Sequence, residues 1–157
     1  MLFQKMPQVG SGGSESKNID LSLLPCVNPT ASGKSGSSTI SYPFASSIVQ
    51  DSGGWTSTQN QTDAWIQWEF DKEKYVEAIC IFLSTNTKDT DFQIQYKTNA
   101  DGQWESIPYR FEKNTASYVF AVRKKCKFMR LFSPKGFYVG SYYTMISKGG
   151  IRVLGEA

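Results

Sequence analysis

The sequence predicts an all-β chain, an antiparallel β-sandwich of about eight strands. Three observations carry this. Apolar residues alternate in runs too short for helices, as in Ile66/Trp68/Phe70, Phe92/Ile94/Tyr96 and Tyr118/Phe120/Val122. Aromatics make 14% of the chain against 39% hydrophobic residues in all, a share that suits strands better than a helical bundle. No run is followed by a convincing amphipathic helix, which argues against a parallel sheet with crossovers.

The elements follow in order. Residues 1–20 are polar and Gly/Ser-rich and read as a flexible leader, leaving 21–157 as the domain. Within Asp20–Leu24 a short apolar patch offers an edge strand. Asn28–Ser38 reads as a Ser/Gly/Thr-rich loop, Thr39–Phe44 as a short strand, and Ala45–Ala64 as a long polar loop holding Trp55. Trp65–Phe70 and Tyr75–Leu83 read as two strands joined by a tight reversal at the charged tetrapeptide Asp71–Lys74. Ser84–Thr90 is loop. Asp91–Thr98 is a strand that enters a hairpin at Asn99–Gln103, where Asp101-Gly102 suits positive φ. Trp104–Tyr109 is its partner and Arg110–Ala116 a loop. Ser117–Val122 and Cys126–Phe132 are strands separated by a short turn at Arg123–Lys125, with Arg130 expected to point inward and pair with Glu69 or a loop carbonyl. Ser133–Gly149 is a long Tyr/Gly-rich loop, and Ile151–Leu154 closes the chain. Trp65, Trp68 and Trp104 alternate within strands and read as core or half-buried packing.

Composition narrows the function. The chain has 157 residues, enough for one domain with a real core. A net charge of +3 without a long basic run gives no nucleic-acid footprint. The absence of histidine removes the commonest general base and metal ligand. With no Gly-x-Ser-x-Gly, no phosphate loop and no singled-out carboxylate pair, the reading is of a protein that is not an enzyme. Cys26, Cys80 and Cys126 form neither a disulfide framework nor a zinc pattern. Cys80 reads as core, a Cys26–Cys126 pairing stays open, and the usage leans toward a reducing, intracellular compartment. No stretch reads as a secretory signal or is long enough to span a bilayer.

If each strand reverses direction relative to the one before, the connections segregate. Asp71–Lys74, Asn99–Gln103 and Arg123–Lys125 fall at one pole and are short. Ala45–Ala64, Ser84–Thr90, Arg110–Ala116 and Ser133–Gly149 fall at the other and are long and aromatic. Long loops gathered at one end of a rigid sandwich are the usual place for a binding site. Trp55 sits there in a Gly-rich loop. Lys135, Phe137, Tyr138, Tyr142 and Tyr143 make the foremost candidate strip, because glycines let the backbone bend and rings offer flat faces for stacking. Arg110 and Phe111 add a cation and a ring, and Asn86 and Lys88 add hydrogen-bonding groups. The competing reading of the rings is that they pack the loop onto the sandwich.

Several pieces resemble a known family. Ala45-Ser46-Ser47 with Gly53-Gly54-Trp55-Thr56-Ser57, the strand Trp65–Phe70, and Phe92–Lys97 followed by Asp101-Gly102 and Trp104 are similar to successive elements of the coagulation-factor type C, or discoidin, domain. Phe128-Met129-Arg130-Leu131 and the closing Gly150–Gly155 continue the match over some two-thirds of the chain. The resemblance implies a galactose-binding-like jelly roll. It also implies a non-catalytic module, part of a larger protein or assembly, that binds a glycan, a phospholipid head group or a protein through loops at one end. Two departures stand out. No cysteine lies near the C-terminus to tie the ends, and Arg152 stands in the closing strand where many sugar-binding members place a carboxylate beside a structural calcium. No cofactor is therefore expected, and carbonyls around Asp51–Gly54 are what remains to hold a calcium ion. The expected function is glycan-binding, lectin-like or adhesion-type recognition. An intracellular protein-interaction module is the alternative. A membrane-surface role, with Phe137 and Tyr138 inserting, is disfavoured by the modest charge.

Overall fold

The structure, a computed structural model, describes residues 20–45, 53–85, 91–109 and 116–157. The expected leader lies outside the described residues, as do the segments 46–52, 86–90 and 110–115. Nine strands are described: β1 (Leu21–Leu23), β2 (Val27–Ala31), β3 (Gly54–Trp55), β4 (Ala64–Thr85), β5 (Gln93–Lys97), β6 (Glu105–Ser106), β7 (Ser117–Ser133), β8 (Tyr138–Val139) and β9 (Tyr142–Glu156). Every pairing between them is antiparallel. The expected all-β sandwich is what forms.

The sandwich is organised on one ribbon, β4 against β7, and here the structure corrects the reading of the central stretch. Trp65–Phe70 and Tyr75–Leu83 are not a hairpin but two halves of a single 22-residue strand. Likewise Ser117–Val122 and Cys126–Phe132 belong to one 17-residue strand. The two long strands stay paired from Ala64↔Ser133 to Phe82↔Ser117, with register shifts between Glu69 and Lys74 and between Val76 and Ala78. The charged residues that read as turns are bulges at a bend. They carry extra backbone around the rim where the ribbon leaves one sheet and enters the other. Arg123 sits in the second bulge at φ 52°, and its Nε lies 3.2 Å from Glu77 Oε1. Polar side chains suit this place because the rim is wet. A charged tetrapeptide between apolar runs signals a solvent-exposed break in burial, and a bulge satisfies that signal as well as a hairpin does.

The first half of β4 and the second half of β7 lie in one sheet, with β2 on the β4 side and β5 then β6 on the β7 side. The other halves lie in the opposite sheet, where β9 pairs with β4 and is itself flanked by β1 and β3. Inward residues from both sheets form a single core in which Trp55, Trp68, Phe70, Ile79, Leu131 and Phe137 are fully buried. Phe92 spans it, its ring 6.4 Å from Tyr118 and 6.1 Å from Phe137.

Other expectations shift with this geometry. Thr39–Phe44 is not a strand: it turns into a 3-10 helix at Tyr42–Phe44, with Pro43 near its start, where a missing N–H costs nothing. The segment read as loop from Asn28 contains most of β2, bulged at Asn28 with φ 50°. Ser133–Gly149 is largely strand, since β8 and the first half of β9 occupy it. The hairpin at Asn99–Gln103 forms, closed by Gly102 N–H donating to Asn99 O at 3.0 Å, but neither Asp101 nor Gly102 takes positive φ. Cys80 is not core: it lies half-buried on an outer face, in register with Val119 and Arg152. Arg130 does not point inward, since Met129 and Leu131 take the core positions on either side of it. All three cysteines are free thiols.

Candidate functional site

Both ends of the ribbon arrive at the same pole. Ala64 pairs with Ser133 at one end of β4, and Thr85 pairs with Thr144 at the other. The two ends meet at Phe137, whose carbonyl accepts from Thr144 N–H at 2.7 Å. Segment 56–63, the tight Ser133–Phe137 turn and the β8–β9 hairpin gather here. The Asn99–Gln103 hairpin and the two bulges lie at the far pole, because β5 runs from Gln93↔Phe132 toward Lys97↔Phe128 beside the bend.

The Ser133–Phe137 turn is built to bury its ring. Gly136 takes φ +90°, and a Cβ there would collide with the Gln61 carbonyl oxygen, so only glycine lets the turn close on segment 56–63. Ser57 Oγ accepts from Phe137 N–H at 3.0 Å, and Thr56 Oγ1 donates to Phe137 O at 3.3 Å. Polar residues at 56 and 57, buried as they are, thus replace a sheet ladder for the Phe137 backbone. The Phe137 ring lands edge-on against Trp55, centroids 5.1 Å apart. Trp55 in turn donates its indole N–H to Gly33 O at 3.0 Å. Both rings are fully buried. They were expected among the ligand contacts, and the structure places them beneath the loops as anchors instead. A large ring in a Gly-rich segment gains more by burial than by waiting for a ligand.

The next six residues behave differently. β8 and the start of β9 form a hairpin with Val139↔Tyr142 closing a two-residue turn, and Gly140 supplies φ 60° at its first position. Tyr142 and Val139 project to solvent at 57% and 45% exposure. Tyr138 and Tyr143 are half-buried, their rings 5.7 Å apart across the strands. Segment 56–63 fastens the hairpin. Asn60 N–H donates to Tyr138 O at 2.7 Å, Gly140 N–H to Asn60 Oδ1 at 2.8 Å, and Gln59 Nε2 to Gly140 O at 2.6 Å. Asn60 holds φ 59°, a left-handed value that asparagine tolerates better than most residues. Lys135 is exposed on the adjoining turn.

Of the expected contacts, Lys135, Tyr138, Tyr142 and Tyr143 therefore all lie at the loop pole, with Tyr138 and Tyr143 on one face of the hairpin and Tyr142 beside Val139 on the other. Asn86, Lys88, Arg110 and Phe111 lie outside the described residues. Sequence reading passed over Gln59, Asn60 and Val139. The run of amides from Gln59 to Gln61 was the available signal, because Asn and Gln side chains readily bind loop backbone. At the edge of the same pole, burial pushes the Tyr109 phenol well above its usual pKa, and its ring centroid lies 4.5 Å from that of Phe120.

Among the described residues no three His, Cys, Asp or Glu side chains converge as metal ligands. Gly53 and Gly54 are described but Asp51 is not, so the carbonyl set around Asp51–Gly54 is only partly on view. A separate concavity of about 270 Å³ lies between β1, β9 and the 3-10 turn, lined by Leu23, Pro25, Cys26, Phe44 and Val153. None of the expected ligand residues among the described ones lines it. It is mostly apolar, and burial raises the Cys26 thiol to about 12, which leaves it an unreactive wall group.

No protein-family model and no curated protein sequence matches the chain. Solved structures do match in fold. The family 32 carbohydrate-binding module of NanJ from Clostridium perfringens, in complex with galactose, superposes with a TM-score of 0.65 at 14% identity, over 86% of this chain and 99% of that one. A chitosan-binding module of a chitosanase/glucanase from Paenibacillus sp. IK-5 gives 0.64 at 15% identity, over 83% and 95%. The lectin binding domain of Lectinolysin, complexed with Lewis b, gives 0.63 at 10% identity, over 83% and 92%. At these identities the likeness is one of architecture alone. The chain has the galactose-binding-like jelly-roll fold found in these carbohydrate-binding modules.

Proposed function

We propose that the protein is a non-catalytic recognition module that binds a glycan at the loop pole. The observation that carries the reading is the β8–β9 hairpin. It presents Tyr142 to solvent on one face, carries the Tyr138/Tyr143 pair on the other, and is locked by the Gln59 and Asn60 hydrogen bonds. Flat rings fixed in place suit the C–H faces of sugars, and they lose little entropy on binding. Lys135 supplies a nearby polar contact. Structural neighbours in complex with galactose and with Lewis b support the choice of ligand class. An adhesion role draws no support from these neighbours.

A glycan array tests the proposal. Specific signal from the wild type, lost in Tyr142→Ala with the melting temperature unchanged, is the expected result. Silence across glycans, together with recovery of one stoichiometric protein partner in a pull-down, would instead establish the protein-interaction reading.

A further inference from the structure

The outer face of the β2–β4–β7–β5–β6 sheet carries a second chemistry, away from the loop pole. Phe128, Arg130 and Phe132 alternate outward along β7, each about 7 Å from the next. Arg130 is flanked in register by Gln67 on β4 and Gln95 on β5. Its guanidinium carbon lies 4.4 Å from the Trp104 ring centroid and 4.8 Å from that of Phe132. Arg130 Nε donates to Gln95 Oε1 at 2.6 Å. Gln95 is itself only 8% exposed, and its Nε2 donates to Gln93 Oε1 at 3.0 Å and Ser106 Oγ at 3.2 Å. Two rings and a buried amide thus fix the plane of the guanidinium.

Among the described residues, nothing uses the far edge of that plane. Arg130 Nη groups meet no acceptor among the described residues. Two more cations stand nearby, with Lys97 Nζ 4.6 Å from the Trp104 centroid and Lys127 Nζ 5.8 Å from that of Phe128. Two carboxylates of this sheet are already engaged elsewhere. Glu69 Oε1 accepts from Asn28 Nδ2 at 2.6 Å, and Glu105 Oε2 accepts from Tyr96 O–H at 2.6 Å. No ion pair among the described residues joins either of them to these cations. Burial pulls the Arg130 pKa below its ordinary value, the mark of a cation whose lost hydration no counter-charge offsets. Structural packing alone does not require an arginine here, since an apolar side chain would stack between the same rings without that cost.

We propose that this face is a second binding site, for a saccharide that carries a carboxylate. The carboxylate takes the open Nη edge of Arg130 as a two-point hydrogen-bonded pair, which a planar guanidinium is shaped to give. The sugar ring lies on Phe132 or Phe128, and the Gln67 amide takes a hydroxyl. Charge complementarity selects the anion. The choice of a sugar over an acidic peptide rests on the glycan-binding reading above and on the row of outward rings.

The test is titration of the full ¹⁵N-labelled chain, followed by amide shifts, with trigalacturonate, its methyl ester, sialyllactose and triglutamate. Movement of the amides of 93–97, 104–106 and 128–132 by trigalacturonate, and not by its ester, is the expected result. Movement by sialyllactose in place of trigalacturonate assigns the site to a terminal rather than an internal acidic sugar and equally supports it. Arg130→Gln weakens binding by about thirtyfold or more, and Arg130→Lys, which keeps charge but not the fork, recovers only part. The wild-type titration decides the matter alone if Arg130→Gln does not fold. Equal movement by the ester or by triglutamate, or none by either acidic sugar, overturns the proposal. Neutral glycans that move the amides of 138–143 report on the loop pole independently, so each site can fail without the other.

Discussion

The turn that carries Phe137 and the hairpin that carries Tyr142 adjoin in sequence and differ in every physical respect. Phe137 is fully buried and Tyr142 is 57% exposed. Both are rings in a Gly-containing stretch, so composition does not separate them. Backbone partners do. Ser57 and Thr56 hold both polar groups of the Phe137 peptide inward, and Gly136 lets segment 56–63 close over it. At Gly140 the chain instead reverses in a two-residue turn, and the ring that follows points out. The lesson is that a loop aromatic is assigned by where its own main-chain donors and acceptors go, more than by its apolar area.

Mutations can break this contrast. The largest effect is expected for Phe137→Ala, which opens a cavity against Trp55 and Phe92 and should cost about 3–5 kcal/mol of unfolding free energy, read from urea denaturation. A loss under about 1 kcal/mol would mean that the ring is not an anchor. Next, Gly136→Ala should cost about 2–3 kcal/mol, because both the positive φ and the Gln61 carbonyl oppose a side chain. Tyr142→Ala should change stability by less than about 0.5 kcal/mol. A larger change would show that the hairpin needs its exposed ring to fold, and would remove the contrast.

The smallest expected effect is that of pH through the neutral range. The chain has no histidine, and among the described residues the largest shifts are upward ones on thiols and phenols. Burial raises the Cys26 and Cys126 thiols from 9.0 to about 12. The folded state thus favours the protonated thiol. Its contribution is complete below pH 9.0 and is lost as pH rises through about 12. The urea midpoint should be level from about pH 6 to 9 and then fall, and Cys126→Ala should blunt the fall. A decline already complete by pH 9 would contradict this assignment.

Much of the fold was legible because period-two burial leaves a direct trace. Phe92/Ile94 and Tyr118/Phe120/Val122 face inward as their alternation predicts. The division into a loop pole and a bend pole also holds for the described connections, with bulges where the sequence reads hairpins. A bulge that carries a strand into the opposite sheet reverses its course just as a turn does, so the count of reversals survived the wrong local chemistry. The illegible parts share a cause. Asp71–Lys74, Arg123–Lys125 and β2 depend on which strand lies alongside, and pairing between distant segments leaves no mark in a local window. Arg130 was placed inward because it alternates with phenylalanines, yet those phenylalanines belong to the outer face. Periodicity shows which residues share a side, not which side is dry. At the candidate site the sequence pointed to the tyrosines of 138–143 but did not separate them from the buried Phe137, and it did not mark the Gln59 and Asn60 fastenings, since side-chain bonds to loop backbone follow no spacing.

The β4–β7 ribbon has a kinetic consequence. Because one pair of strands runs through both sheets, neither sheet can be completed without the other, and Ala64 must find Ser133 across a long intervening chain. Such non-local pairing makes for slow folding, on the order of milliseconds to seconds. It also leaves no half-molecule that can melt first, so unfolding should proceed in a single cooperative step.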